Sequence, residues 1–68
     1  SMQQLYGLTD AECRFVHAFV AEASVGRAAQ RLSLTKSTGR TYLKRVFQKT
    51  GTSSQAELMK LILRSARV

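Results

Sequence analysis

The chain contains a single cysteine, Cys13, and a single histidine, His17. One cysteine cannot form an internal disulfide, and one cysteine with one histidine cannot supply the four ligands of a structural zinc site. A chain of 68 residues buries only about 60% of its unfolded surface. Without a disulfide or a structural metal site, its stability depends on well-packed helices. With no proline and 44% hydrophobic residues, the sequence predicts an all-α fold in which a few helices share one core.

Four helices are predicted from the residues that can cap their ends. The N-terminal caps are Thr9, Ser24, Thr35 and Ser54. Glu12 and Glu57 complete capping boxes in the first and last helices, and Gly51 ends a third helix over residues 36–50. The fourth helix is expected to run to about residue 66. A turn of about three residues joins the second and third helices, which is typical of a helix-turn-helix unit.

Two residues on the predicted buried faces are unexpected there. Glu12 falls on the apolar face of the first helix, where a charge is costly unless it is paired. We expect its capping bond and a basic partner from another helix to hold it. Gly39 falls on the buried face of the third helix, where it costs about 1 kcal/mol relative to Ala and leaves space unfilled. The sequence therefore predicts that Gly39→Ala raises the melting temperature.

The positive charge of the chain is concentrated in its middle. The net charge is +7, and residues 25–50 contain seven cations and no acid. These cations are Arg27, Arg31, Lys36, Arg40, Lys44, Arg45 and Lys49. A basic pole of this kind is typical of a nucleic-acid-binding protein, although an anionic membrane or an acidic protein would also be attracted.

One face of the third predicted helix has the residue types that read DNA. At about 100° per residue, Leu43 and Val46 share an apolar face with Gly39. The opposite side carries Ser37, Arg40, Thr41, Lys44 and Gln48, without a carboxylate. Such side chains reach guanine, adenine and thymine edges in a major groove. A solvated helix face normally mixes both signs of charge, so this face predicts a recognition helix.

An enzymatic function is not expected. General acid–base catalysis needs two positioned titratable groups, and the chain has one His, one Asp and three Glu, all scattered. Cys13 and His17 are four residues apart and could touch on one helix, but nothing orients the imidazole. We therefore expect no catalytic residue, no cofactor and no metal site.

Four short motifs occur in a specific order along residues 8–65. They are Leu8-Thr9-x-x-Glu12, Ala29-x-x-Leu32-x-Leu34-Thr35-x-x-Thr38, Leu43-x-x-Val46-x-x-Lys49-x-Gly51 and Ala56-Glu57-Leu58. In their order and spacing they resemble the LuxR-type (GerE-type) DNA-binding domain of bacterial transcription regulators. The chain departs from the family pattern at Glu22, Arg27, Ala28, Gly39 and Tyr42.

The resemblance implies a four-helix LuxR-type helix-turn-helix domain that binds double-stranded DNA, with the third helix as the recognition helix. Such domains form the output module of a longer regulator, such as a response regulator, behind a receiver or ligand-sensing domain. Arg40, Thr41 and Lys44 match the base-reading positions of the family. With the cations around this face, the predicted phosphate-contacting residues are Arg27, Arg31, Thr35, Lys36, Ser37, Thr38, Arg45 and Lys49.

The fourth predicted helix has an apolar arc wider than a core-facing stripe needs. Exposed apolar surface marks interfaces, and the resemblance also implies that two domains pair through their last helix on DNA. The predicted dimer interface consists of Met59, Leu61, Ile62 and Leu63.

Two other functions remain open. The promoter-reading region of a sigma factor, which works joined to RNA polymerase, shares the helical motif. A protein-interaction module could keep the shape and use its basic face for an acidic partner. We expect residues 1–7 to be a linker that includes a cloning remnant and residues 8–68 to be the DNA-binding domain. No membrane span or signal peptide is recognisable, so we expect a cytoplasmic protein at the bacterial nucleoid.

Overall fold

The computed structural model describes residues 2–65 and contains only helices over that part of the chain. Its five helices are α1 (Met2–Tyr6), α2 (Asp10–Glu22), α3 (Val25–Arg31), α4 (Lys36–Thr50) and α5 (Gln55–Ser65). The all-α prediction is confirmed, and α2 to α5 correspond in order to the four predicted helices. The predicted end of the last helix at about residue 66 lies outside the described residues.

The predicted caps are present at the starts of α2 to α5. At each one a side-chain hydroxyl accepts a hydrogen bond from the backbone N–H of the third helical residue; the four caps are Thr9, Ser24, Thr35 and Ser54. The capping box of α2 is complete, because Glu12 also accepts from the N–H of Thr9. In α5 the carboxylate of Glu57 instead accepts from Ser53 Oγ at 3.3 Å. Gly51, with a φ of 69°, ends α4 as predicted.

The helix α1 lies in the segment that the sequence predicts to be a linker. Five residues are too few for an isolated helix to be stable. Tertiary contacts hold α1 instead: Tyr6 packs against the core, and the N–H of Leu8 donates to the carbonyl of Gln3 at 3.1 Å. The side chain of Gln3 donates to Asp10 Oδ1 at 2.6 Å. The helix therefore depends on the start of α2, which its own five residues do not reveal.

The core lies between α2, α3 and α4, and α5 adds Leu58 to it. Its largest fully buried side chains are Phe15, Phe19, Val46 and Leu58. The ring of Tyr42 stacks on Phe15 with 5.8 Å between ring centroids, and Phe15 stacks on Phe19 at 6.4 Å. Between residues 2 and 65 no helix has both the length and the apolar character that crossing a bilayer requires.

The buried carboxylate of Glu12 has the basic partner that the sequence predicted. The side chain of Glu12 is only 3% exposed, and Lys49 Nζ lies 2.6 Å from its Oε1. The same ammonium donates to the carbonyl of Gly7 at 3.2 Å. Burial raises the pKa of Glu12, but the hydrogen bonds from Lys49 and Thr9 and the charge of Lys49 outweigh it and lower the pKa below its ordinary 4.5. One carboxylate thus joins α2, the turn before it and the end of α4.

The expectation for Gly39 is wrong. A Cβ added at Gly39 would lie 2.8 Å from Ala29 Cβ and 3.6 Å from atoms of Phe15 and Val25. The first distance is far shorter than a van der Waals contact, and Ala29 cannot rotate a methyl out of the way. The buried face of α4 holds no unfilled space at this position. The glycine instead allows α4 to approach α3 closely, so Gly39→Ala should destabilise the chain.

Candidate nucleic-acid interface

The turn between α3 and α4 is fixed by its own backbone. The N–H of Leu34 donates to the carbonyl of Ala29 at 2.8 Å, and the N–H of Ser33 donates to that of Gln30 at 3.0 Å. Ser33 has a φ of 59°, the left-handed conformation that reverses the chain direction there. Leu32 packs against the core. These contacts bind the turn to the end of α3 and to the core, directly before α4 begins.

The predicted recognition face of α4 is open to solvent. Gly39, Leu43 and Val46 are buried on the inner side of the helix. The five polar residues of the opposite side are all exposed: Ser37, Arg40, Thr41, Lys44 and Gln48. The Thr41 hydroxyl donates to the carbonyl of Ser37 at 3.2 Å, so its methyl group and oxygen lone pairs are available to a ligand. The three predicted base-reading residues therefore share one accessible surface.

Gln48 belongs to this surface but is not among the predicted base-reading residues. It follows Lys44 by one helical turn and Thr41 by seven residues, so all three lie along one side of α4. A Gln amide can donate to and accept from the edge of an adenine. The helical spacing is the signal in the sequence that indicates Gln48, whereas the predicted base-reading residues are those that match the positions of the family the chain resembles.

The predicted phosphate-contacting residues differ in whether their polar groups are already bound by other residues of the chain. Arg27, Lys36, Ser37 and Arg45 are exposed. Arg31 is exposed too, but its guanidinium lies 3.4 Å from the carboxylate of Glu22. The hydroxyl of Thr35 accepts from the N–H of Thr38 and donates to the Thr38 hydroxyl at 2.9 Å. Both threonines thus fix the start of α4, and the Thr38 hydroxyl keeps a proton to donate.

Lys49 is held away from the recognition face. Its ammonium is bonded to Glu12 and to the carbonyl of Gly7, as described above. A phosphate contact would have to compete with a buried carboxylate 2.6 Å away. This placement argues against the predicted phosphate contact and makes Lys49 part of the fold.

The predicted dimer residues on α5 are partly used by the core. Met59 and Ile62 are half-buried and pack against it. Leu61 and Leu63 instead line a groove of about 660 Å³ between α5 and the end of α4, and Leu63 is 53% exposed. Glu57, Lys60 and Arg64 also line this groove. The exposed apolar surface of α5 is therefore smaller than the sequence predicts and centres on two leucines.

The arrangement supports ligand binding by charge and hydrogen bonding. Within the described part of the chain, no group of three or more His, Cys, Asp or Glu residues could hold a metal ion. Compared with known protein families, with curated proteins and with solved structures, the chain matches none of them.

Proposed function

We propose that the chain binds double-stranded DNA sequence-specifically, as the LuxR-type output domain of a bacterial transcription regulator. In this proposal α3 and α4 are the helix-turn-helix unit, and α4 enters the major groove. One observation carries the proposal: the exposed side of a 15-residue helix bears Arg40, Thr41 and Lys44, and residues 25–50 contain no carboxylate to oppose a phosphate backbone.

The chemistry of this face favours DNA over an acidic protein. An Arg or Lys donates to guanine O6 and N7, and a threonine methyl can contact a thymine methyl. Short side chains such as Ser37 and Thr41 leave room between the cations for base edges to approach. An acidic protein would also be attracted by the cations. The small hydrogen-bonding residues between the cations add side-chain types that contact base edges in a major groove.

Pairing of two domains on DNA is the second part of the proposal. The exposed Leu63 and the half-buried Leu61 would meet the same residues of a second copy. Their apolar area is small compared with a standard interface of about 800 Å² per partner. We therefore expect the isolated domain to be monomeric or weakly associating, and to pair when adjacent half-sites bring two copies together.

A fluorescence-anisotropy titration against a pool of random-sequence duplexes, with sequencing of the bound fraction, tests the proposal. Salt-sensitive binding with enrichment of an inverted repeat is the expected result. Enrichment of a single asymmetric element would instead favour the promoter-reading region of a sigma factor. Absence of salt-sensitive DNA binding would overturn the proposal and favour the protein-interaction module.

A further inference from the structure

A second basic feature lies beside the recognition face, where the starts of α3 and α5 meet α4. It is a groove of about 530 Å³. Its lining includes Ser24, Gly26, Lys36, Arg40, Leu43 and Gln55. Two of these residues are cations and none is a carboxylate. The groove on α5, in contrast, includes Glu57.

Gly26 also lines this groove, and the fold does not require a glycine at this position. It lies inside α3, where a glycine is less favourable than an alanine. Its φ is not positive, so the backbone conformation does not require it. A Cβ added there would meet only Lys36 Cε at 3.8 Å and Ser24 Oγ at 3.9 Å, which are ordinary contacts. The missing side chain therefore leaves open space next to a lysine.

The polar atoms around this space suit a phosphodiester. Ser24 Oγ accepts from the N–H of Arg27 at 3.4 Å and keeps its own proton to donate. The exposed Gln55 offers an amide donor, and Lys36 offers an ammonium. Arg40 borders the groove from the side that leads to the recognition face. The groove is thus lined by donors from the N-terminal cap of α3, from α4 and from the start of α5.

We propose that this groove binds one backbone phosphodiester of the DNA, with Lys36 as its cation and with the bare backbone of Gly26 as its floor. The inference rests on the proposed DNA binding and adds a site to it. A side chain that fills the groove should lower the affinity for DNA of any sequence, because a backbone contact carries no base information. It should do so without loss of stability, because α3 tolerates a side chain at position 26.

Substitution of Gly26 separates these two effects. Gly26→Ala should raise the melting temperature by several degrees, because Ala is the better helix former, and should still weaken binding to a random-sequence duplex. Gly26→Met should weaken that binding roughly tenfold, the loss of one charge-assisted hydrogen bond. The matched control is Ala21→Met, which adds the same side chain at an exposed position of α2 outside the groove.

Lys36→Ala identifies the cation. In the wild-type background it should weaken binding and lower the slope of log affinity against log salt by about one. In the Gly26→Met background it should cost much less, because the phosphodiester is already excluded. Equal cost in both backgrounds would overturn the assignment of Lys36.

Unchanged binding by Gly26→Met, or by Gly26→Ala if the Met variant does not fold, would overturn the groove while leaving the proposed function intact. A wild-type chain that binds no duplex would overturn the proposed function itself.

Discussion

Glu12 and Lys49 tie three segments of the fold together through one buried carboxylate. The pKa of Glu12 is lowered in the folded chain, so the unfolded state binds a proton at higher pH than the folded state. The resulting stability is complete above the ordinary pKa of 4.5 and is lost as the pH falls through the folded value. Acid should therefore weaken this fold through protonation of Glu12.

The variant Glu12→Gln should lose about 1–3 kcal/mol of stability at neutral pH, because it removes the charged partner of Lys49. It should also show a flatter dependence of unfolding free energy on pH below about pH 5. Denaturant unfolding between pH 3 and pH 7 measures both. Glu57→Gln is the matched control, an exposed carboxylate at the same third position of a helix. If both variants lose the same amount at every pH, the buried pair does not stabilise the fold as argued.

Gly39→Ala should lower the melting temperature, in contrast to Gly26→Ala. The added methyl would lie 2.8 Å from Ala29 Cβ, and overpacking of this kind costs about 1–3 kcal/mol. The double variant Ala29→Gly/Gly39→Ala moves the methyl to the other helix and should recover part of the loss beyond additivity. Calorimetry on the two single variants and the double variant measures this coupling. Strictly additive effects would mean that the helices do not touch at these residues.

At the scale of the helices, the starts of α2 to α5 could be predicted because capping is local chemistry. Each cap joins a hydroxyl to an N–H three residues later, and both partners are visible in the sequence. The helix α1 could not be predicted, because Gln3 and Tyr6 are held by residues beyond it. The close approach at Gly39 was also hidden, since it depends on where Ala29 lies in space.

The helix α5 should pair two copies of the chain on DNA through Leu61 and Leu63. Leu63→Glu should reduce cooperative binding to a duplex with two half-sites while affinity for a single half-site survives, because charge repulsion would act only between copies. Titration of both duplexes measures the difference. Leu5→Glu is the matched control, since Leu5 is 72% exposed on α1 and undergoes the same change. Cooperativity that survives both Leu61→Glu and Leu63→Glu would place the pairing surface elsewhere.

At the scale of the whole molecule, the basic pole could be predicted from charge order alone, because residues 25–50 lack acids. The exposed face of α4 could be predicted too, since a long helix follows its periodicity. That Lys49 pairs with a buried carboxylate could not be predicted, because its partner Glu12 lies 37 residues away in sequence. The groove beside Gly26 was hidden for the same reason: three helices have to assemble before its lining residues meet.

In the proposed complex, residues of α4 contact base edges and residues of α3 contact the phosphate backbone. Two arginines, one on each helix, can test this division. Arg40 is exposed on α4, which we place in the major groove, whereas Arg27 is exposed on α3, which we place over the backbone. The variants Arg40→Ala and Arg27→Ala remove the same side chain and the same charge. They should therefore differ only through what each arginine touches.

Arg40→Ala should cost roughly 1–3 kcal/mol on the selected site and much less on a scrambled duplex, because a base contact is lost. Arg27→Ala should weaken both duplexes about equally and lower the salt slope by about one, because a phosphate contact is lost. Anisotropy titrations at several salt concentrations on the two duplexes separate these outcomes. If Arg40→Ala weakens both duplexes equally, α4 acts only as an electrostatic anchor. Sequence-specific reading would then have to come from another surface, and the proposed placement of α4 would be wrong.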